Sequence, residues 1–268
     1  MSHSLFDLSG RVALVSGAGN GMGRATALAL AEVGADLMIC DVNADTLERT
    51  ASEITRIGRK VVPVHCSLYD FDAVRAMFGQ LDREFGRIDV LANIPGGNAL
   101  GHPEDITVEM FEETIRRVLV AKYNCCLEGG RRMLARGKGS IINMASLGGI
   151  NALGRGNFAY SVGMGGVVQM TRELSTEWAG RGVRVNAIAP AQITNPGFEV
   201  RMDATPGLRE TFLRGIPMGR LGVPDDIRGV AIFLASDASG FTTGTVIPID
   251  GGNLAQNAGG THGHRDAG

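Results

Sequence analysis

Short apolar runs of strand length alternate with longer amphipathic stretches across most of the chain, and this alternation is what most restricts its fold. Residues 11–16 (RVALVS), 36–40 (DLMIC), 60–65 (KVVPVH) and 89–92 read as strands. Residues 21–33, 44–57 and 70–85 read as helices between them, closed by Gly34, Gly58 and Gly86. The second half keeps the rhythm, with helix 109–136, strand 140–144 (SIINM), helix 158–178, strand 184–189 (RVNAIA), helix 226–235 and strand 246–249. Pro63 is the residue most at odds with its strand. Strands this uniformly apolar are covered on both faces, which means a parallel sheet between two layers of helices. Right-handed crossovers then predict a single α/β domain with a doubly wound, Rossmann-like sheet of seven strands.

No linker, repeat or charge run divides the chain, so 1–252 is expected to form one domain and the glycine-rich, polar 253–268 a flexible tail. The stretch 192–215 carries Pro196, Gly197, Pro206 and Gly207 and reads as locally mobile. Its Phe198, Met202, Leu208 and Phe212 suit either an apolar lid over a cleft or a surface loop folded against the core.

Charge and cysteine usage narrow the function. A net charge of -2 gives no electrostatic reason to expect nucleic acid or an anionic membrane as partner. The cluster Arg131, Arg132, Arg136 and Lys138 reads as the solvated end of a helix. Neither a signal-peptide pattern nor an apolar run of about 18 residues occurs, so a cytoplasmic protein is expected. Cys40, Cys66, Cys125 and Cys126 lack metal-ligand spacing and read as buried thiols, with the adjacent Cys125 and Cys126 open to a redox reading. His262 and His264 read as part of the tail, and no metal site is expected.

The turn after the first strand reads Ser16-Gly17-Ala18-Gly19-Asn20-Gly21-Met22-Gly23. Its glycines permit a tight turn and a close backbone approach to a pyrophosphate, and the following helix aims N–H groups and a positive dipole end at it. The second strand ends at Asp41, where a carboxylate accepts hydrogen bonds from the adenosine ribose hydroxyls and repels a 2′-phosphate. That favours NAD over NADP. Asp41 would otherwise serve as a helix cap, a role Asn43 can fill.

With these features in place the chain resembles the short-chain dehydrogenase/reductase family. The spacing of Gly17, Gly21 and Gly23 is similar to that family's cofactor turn. The segments 91–96 (LANIPG), 141–146 (IINMAS) and 185–190 (VNAIAP), and the stretch from Ile216 to Gly252, are similar to its later motifs. The resemblance covers about residues 6 to 254. It implies hydride transfer between a nicotinamide cofactor and an alcohol or ketone, with Ser146 holding the substrate oxygen and Tyr160 exchanging the proton. It implies cofactor contacts from Gly17, Asn20, Gly21, Met22, Gly23, Asp41, Asn93, Tyr160, Pro190 and Ile193. It also implies subunit packing through the long central helix and the Tyr160 helix. Gly163, Gly165 and Gly166 leave the latter nearly bare on one side, so a homotetramer is expected, with a dimer as the alternative.

The chain departs from the family pattern at the nicotinamide end. A lysine is expected four residues after the tyrosine, on the same helix face, and Met164 stands there. The asparagine of the central helix is replaced, at or near Val118, by apolar residues. Ile94 and Pro95 replace the second asparagine and the alanine of the N-N-A-G segment, Ala191 replaces a glycine, and Ser67 replaces an acid near the adenine. A tyrosine titrates near pH ~10 and a neighbouring ammonium lowers that. Losing proton-transfer assistance costs about 10² to 10⁴ in rate. Lys122, one turn beyond Val118, and Arg155 are candidate substitute cations, although a lysine there is expected to meet solvent or another subunit. His102 borders the expected cleft and reads as a loop residue. Three functions remain open: an NAD(H)-dependent oxidoreductase with an altered proton relay, a non-redox enzyme such as a dehydratase or isomerase using the same pocket, and a catalytically silent NAD-binding subunit.

Overall fold

The computed structural model describes residues 4–96, 101–154 and 156–256. Seven parallel strands pair in the order β3-β2-β1-β4-β5-β6-β7. They are β1 (Val12–Ser16), β2 (Asp36–Asp41), β3 (Val61–His65), β4 (Val90–Asn93), β5 (Gly139–Met144), β6 (Val183–Pro190) and β7 (Val246–Ile249). The order reverses between β1 and β4, so the connections after these two strands part and leave a crevice at their carboxyl ends. Pro63 is tolerated because β3 lies at the sheet edge, where a strand has one side without a partner.

Helices cover both faces, as the uninterrupted apolar strands require. On one face α1 (Gly21–Glu32), α2 (Ala44–Ile57) and α9 (Arg228–Ala235) bury Leu30, Ile54 and Leu234 against Val15, Ile39 and Ile142. On the other, α3 (Phe71–Phe85), α5 (Ala121–Arg136) and α6 (Phe158–Trp178) enclose Phe78, Cys125, Cys126 and Met133 against Leu14, Leu91 and Ile141. Local signals set the ends. Asn43 caps α2 by accepting from the Thr46 N–H at 3.0 Å, and Asp70 caps α3 through the N–H groups of Asp72 and Ala73. Gly58 and Gly86 close these helices with φ of 88° and 67°.

The single helix expected over 109–136 is interrupted. It runs as α4 (Val108–Ile115), a π turn at Arg116–Val120, and α5, and the Ala121 N–H reaches back five residues to the Arg116 carbonyl. The Tyr160 helix packs tightly on this turn. A Cβ at Gly163 would lie 2.2 Å from Val118 Cγ2, and one at Gly166 would lie 2.7 Å from Leu119 Cδ2. These glycines were expected to bare a face for a second subunit. Instead they admit Val118 and Leu119 of the same chain.

The stretch 192–215 folds into α7 (Pro196–Ala204) and α8 (Leu208–Leu213), whose Phe198, Met202, Leu208 and Phe212 pack with Ile216 and Leu221. The first residues of the expected tail are tied back, since the Leu254 N–H donates to Asp250 at 2.7 Å and the Asn253 side chain donates to the Gly215 carbonyl. His262 and His264 lie outside the described residues. No described helix is long and apolar enough to cross a membrane, and no cluster of described His, Cys, Asp and Glu residues could hold a metal.

Candidate active site

The glycine turn has the shape that a dinucleotide needs. Gly17 and Gly21 adopt φ of 68° and 51°, where only glycine is unstrained. A Cβ at Gly23 would lie 1.8 Å from the Gly17 carbonyl oxygen, so α1 and the turn meet at a distance that no side chain permits. Asn20 precedes α1 and makes no side-chain capping bond, which leaves its first-turn N–H groups open to an anion. The Asp41 carboxylate stands across the turn and accepts the Gly19 N–H at 2.9 Å. Since Asn43 does cap α2, Asp41 is released from that duty. The turn, the open helix end and the carboxylate together fit the adenosine and pyrophosphate half of a nicotinamide dinucleotide.

A cavity of about 490 Å³ opens beside the turn, at the carboxyl ends of β5 and β6 and under α7. Met22, Ser146, Tyr160, Pro190 and Ile193 all line it, so the structure brings together expected residues drawn from four parts of the chain. Ser146 follows the end of β5 and is nearly enclosed, and its Oγ accepts the Gly148 N–H at 3.1 Å. Tyr160 sits in the first turn of α6. Burial pushes its phenol above the ordinary tyrosine range, and a hydrogen bond with Ser146 draws it part of the way back. Asn93 is placed differently: its side chain is fully buried and donates to Asn143 Oδ1 at 3.0 Å, within the sheet layer.

Met164, one turn beyond Tyr160, is buried and lines the same cavity, as does Ile94. A Cβ built on Gly96 would lie 3.3 Å from Met164 Cε, 3.9 Å from Val118 Cγ1 and 3.7 Å from Lys122 Nζ. The expectation that Lys122 meets solvent or a second subunit is therefore wrong. Its side chain is fully buried, and its ammonium donates to the Val118 carbonyl at 3.2 Å and to the Pro95 carbonyl. Burial lowers its pKa to about 8. Arg155 lies outside the described residues. His102 is exposed and precedes a short turn at Pro103–Asp105.

Sequence reasoning missed four polar residues of the cavity, Asn157, Gln192, Asn195 and Arg201. Among the described residues the buried Gln192 Oε1 has no hydrogen-bond partner, and Arg201 reaches the cavity from α7. The stretch 192–215 is more conspicuous for its apolar residues, and the fold of α7 brings the exposed Arg201 to the cavity rim. The Cys125 and Cys126 thiols are buried and raised, Cys126 to about 12, which removes the thiolate that a redox role needs. Arg132 pairs with Asp82 and Glu128, and Arg136 with Asp89, so the basic cluster is an ion-paired helix end.

A doubly wound parallel sheet, an acid facing its glycine turn and a Ser–Tyr pair in the adjoining cleft define an oxidoreductase that uses a nicotinamide cofactor. The chain belongs to the short-chain dehydrogenase/reductase family. Residues 17–253 match the family model described as enoyl-(acyl carrier protein) reductase. The chain is 38% identical to D-threitol dehydrogenase of Mycolicibacterium smegmatis, over 92% of this chain and 94% of that one. It is 37% identical to 2-dehydro-3-deoxy-D-gluconate 5-dehydrogenase of Pseudoalteromonas atlantica, over 92% of this chain and 97% of that one. It is also similar to a solved structure from Beutenbergia cavernae, described as an NAD(P)-dependent gluconate 5-dehydrogenase with NADP bound. That pair has a TM-score of 0.87 and 36% identity, over 94% of this chain and 99% of the other. The protein is thus an oxidoreductase of the type that acts on small alcohol or ketone substrates.

Proposed function

We propose that this protein is an NAD(H)-dependent dehydrogenase of small polyhydroxylated alcohols, or reductase of the matching ketones, with an altered proton relay. The observation that carries the reading is the Ser146–Tyr160 pair in a cavity continuous with the glycine turn. The bound nicotinamide supplies or accepts the hydride. Ser146 holds the substrate oxygen, and Tyr160 gives that oxygen a proton in reduction or removes one in oxidation. Burial keeps the Tyr160 phenol protonated at neutral pH, so the donor for reduction is in place without help. The base for oxidation is scarcer. Met22, Pro190 and Ile193 shape the cavity walls, and Gly17, Asn20, Gly21, Gly23 and Asp41 hold the other half of the cofactor, with Asn93 supporting the sheet end below it. The two curated relatives named above act on polyhydroxylated compounds, and Gln192 and Arg201 offer this cavity the polar groups such substrates need.

The Asp41 carboxylate supports NAD over NADP. A homotetramer in the cytoplasm fits this reading, and a tetrameric mass by light scattering would agree with it. NADH formation across a panel of tetritols, hexitols and sugar acids, run with the parent and Tyr160→Phe, tests the activity. Turnover that Tyr160→Phe lowers by about 10² or more is expected. Tight NAD binding without turnover on any member would instead favour a silent subunit. Product formation with no net change in NADH would favour a dehydratase or isomerase.

A further inference from the structure

The active-site cavity is charged at one place. Among the described residues that line it, Arg201 alone carries an ionised side chain, and no carboxylate stands in the walls. Gly197, Phe198 and Arg201 line the cavity together, and their spacing puts them on one face of α7. The helix that carries Arg201 is anchored. Met202 is buried with Phe212, Ile216 and Leu221, and the Phe198 and Phe212 rings stand 5.2 Å apart. The residues three and four positions from Arg201 are Gly197, Phe198, Ala204 and Thr205, so its own helix face offers it no acid. The guanidinium has no hydrogen bond or ion pair among the described residues, whereas Arg220, beyond α8, is held by Asp226. A second unmet group lies in the same walls. The buried Gln192 Oε1, just after β6, lacks a donor among the described residues, and a buried acceptor is costly until one is supplied.

We propose that Arg201 sets the substrate class of this cavity: the substrate is a hydroxy acid of sugar size, or the matching keto acid, whose carboxylate is taken by the Arg201 guanidinium while Gln192 Oε1 accepts one of its hydroxyls. This deepens the dehydrogenase reading and rests on it for turnover; the carboxylate contact itself does not. A planar guanidinium meets a carboxylate with two parallel N–H bonds, and cavity walls with one positive charge and no acid favour an anion over a neutral polyol. Ser146 and Tyr160 enter from β5 and α6, and Arg201 enters from α7, so the reacting oxygen and the carboxylate are held by separate elements. A cavity of about 490 Å³ is of the size that takes a small ligand of this kind.

The test uses the full chain as the parent, Arg201→Gln and Arg201→Lys. The probes are aldonates of about four to six carbons, D-gluconate among them, and the alditols of matching configuration. The first readout needs no turnover: calorimetric binding of each probe to the NADH-saturated protein. The second is kcat and KM for NADH formation, and the third is NADH affinity. The parent should bind the acids about tenfold or more tightly than the alditols. Arg201→Gln should abolish that preference by raising KM for the acids about tenfold, with kcat, alditol binding and NADH affinity little changed, and Arg201→Lys should fall between. Arg201 is exposed and unpaired among the described residues, so both variants are expected to fold. Should Arg201→Gln not fold, Arg201→Lys decides: weaker binding of the acids alone supports the proposal, and unchanged binding overturns it. A parent without preference for the acids, or a folded Arg201→Gln that keeps the preference, overturns the proposal. So does a variant that loses NADH affinity while keeping the preference, since Arg201 would then serve the cofactor. Acid binding that depends on Arg201 without turnover would uphold the carboxylate contact and remove the dehydrogenase reading. Turnover of alditols with no preference for acids would keep that reading and overturn this proposal.

Discussion

Asp41 bridges the cofactor turn and the loop before α2: one carboxylate oxygen accepts the Gly19 N–H at 2.9 Å, and the other accepts the Asn43 N–H at 3.0 Å. The carboxylate is thus held where an adenosine ribose would meet it. NAD(H) should bind more tightly than NADP(H), and Asp41→Ala should narrow or reverse that preference. Hydrogen bonds to a charged group contribute about 1.5–3 kcal/mol, so NAD affinity should fall by about tenfold or more. Calorimetric titration of both cofactors checks this, and tighter NADP(H) binding by the parent would contradict it.

Two glycines of the turn should respond differently to the same added methyl group. Gly23→Ala sets a Cβ 1.8 Å from the Gly17 carbonyl, so the backbone must move, with a cost of about 3 kcal/mol or more and loss of cofactor binding. Gly21→Ala meets nothing within 4 Å and faces only the strain of a φ of 51°, about 1 kcal/mol. Urea unfolding of the two variants would show the difference. Equal destabilisation would mean that contact does not govern the turn.

Burial raises Tyr160, with a hydrogen bond to Ser146 offsetting part of the rise, which makes the two reaction directions differ in pH dependence. A raised pKa keeps the phenol protonated at neutral pH. Ketone reduction should therefore hold level from neutral to mildly alkaline pH. Alcohol oxidation needs the phenolate and should climb about tenfold per pH unit through the same range. Initial rates in both directions, measured in overlapping buffers, check this. An oxidation rate already level at pH 7 would refute it.

Stability should also carry a mark of Lys122. Its folded pKa of about 8 lies below the ordinary 10.5 of the unfolded chain. Below about pH 8 both states hold the proton and the burial penalty is fully felt. Between 8 and 10.5 the unfolded chain binds more protons, so this group makes stability rise with pH, by roughly 3 kcal/mol in all. Raised thiols and tyrosines act in the opposite sense, so the quantity to measure is parent minus Lys122→Met in denaturant unfolding. That difference should grow with pH across the window. A flat difference would place the Lys122 pKa near its ordinary value.

The sheet and the glycine turn were readable in the sequence because burial on both faces writes itself as unbroken apolar runs, and because tight turns admit few residue types. Asp41 was readable for the same reason, since Asn43 stood ready to take the cap. The burial of Lys122 was not. A lysine on an amphipathic helix points to water unless something distant encloses it, and here the enclosing groups are the Pro95 carbonyl and a neighbouring helix admitted by Gly163 and Gly166. Those glycines read equally well as a seat for another subunit. The π turn left no sign either, since Arg-Arg-Val-Leu-Val suits α and π hydrogen bonding alike. Arg201 entered the cavity only through the fold of α7.

The π turn at Arg116–Val120 also bears on how this chain tolerates changes in length. A residue added to or removed from a regular α-helix rotates everything beyond it by about 100°. Within α5 that rotation would carry Cys125, Cys126 and Met133 off the sheet and take Lys122 away from the Pro95 carbonyl. A π turn takes up one residue locally while the helices on either side keep their faces. The central helix can therefore lose a residue at this turn and still present the same side to the core, so it divides into a segment free to vary in length and one whose register the cofactor pocket holds fixed.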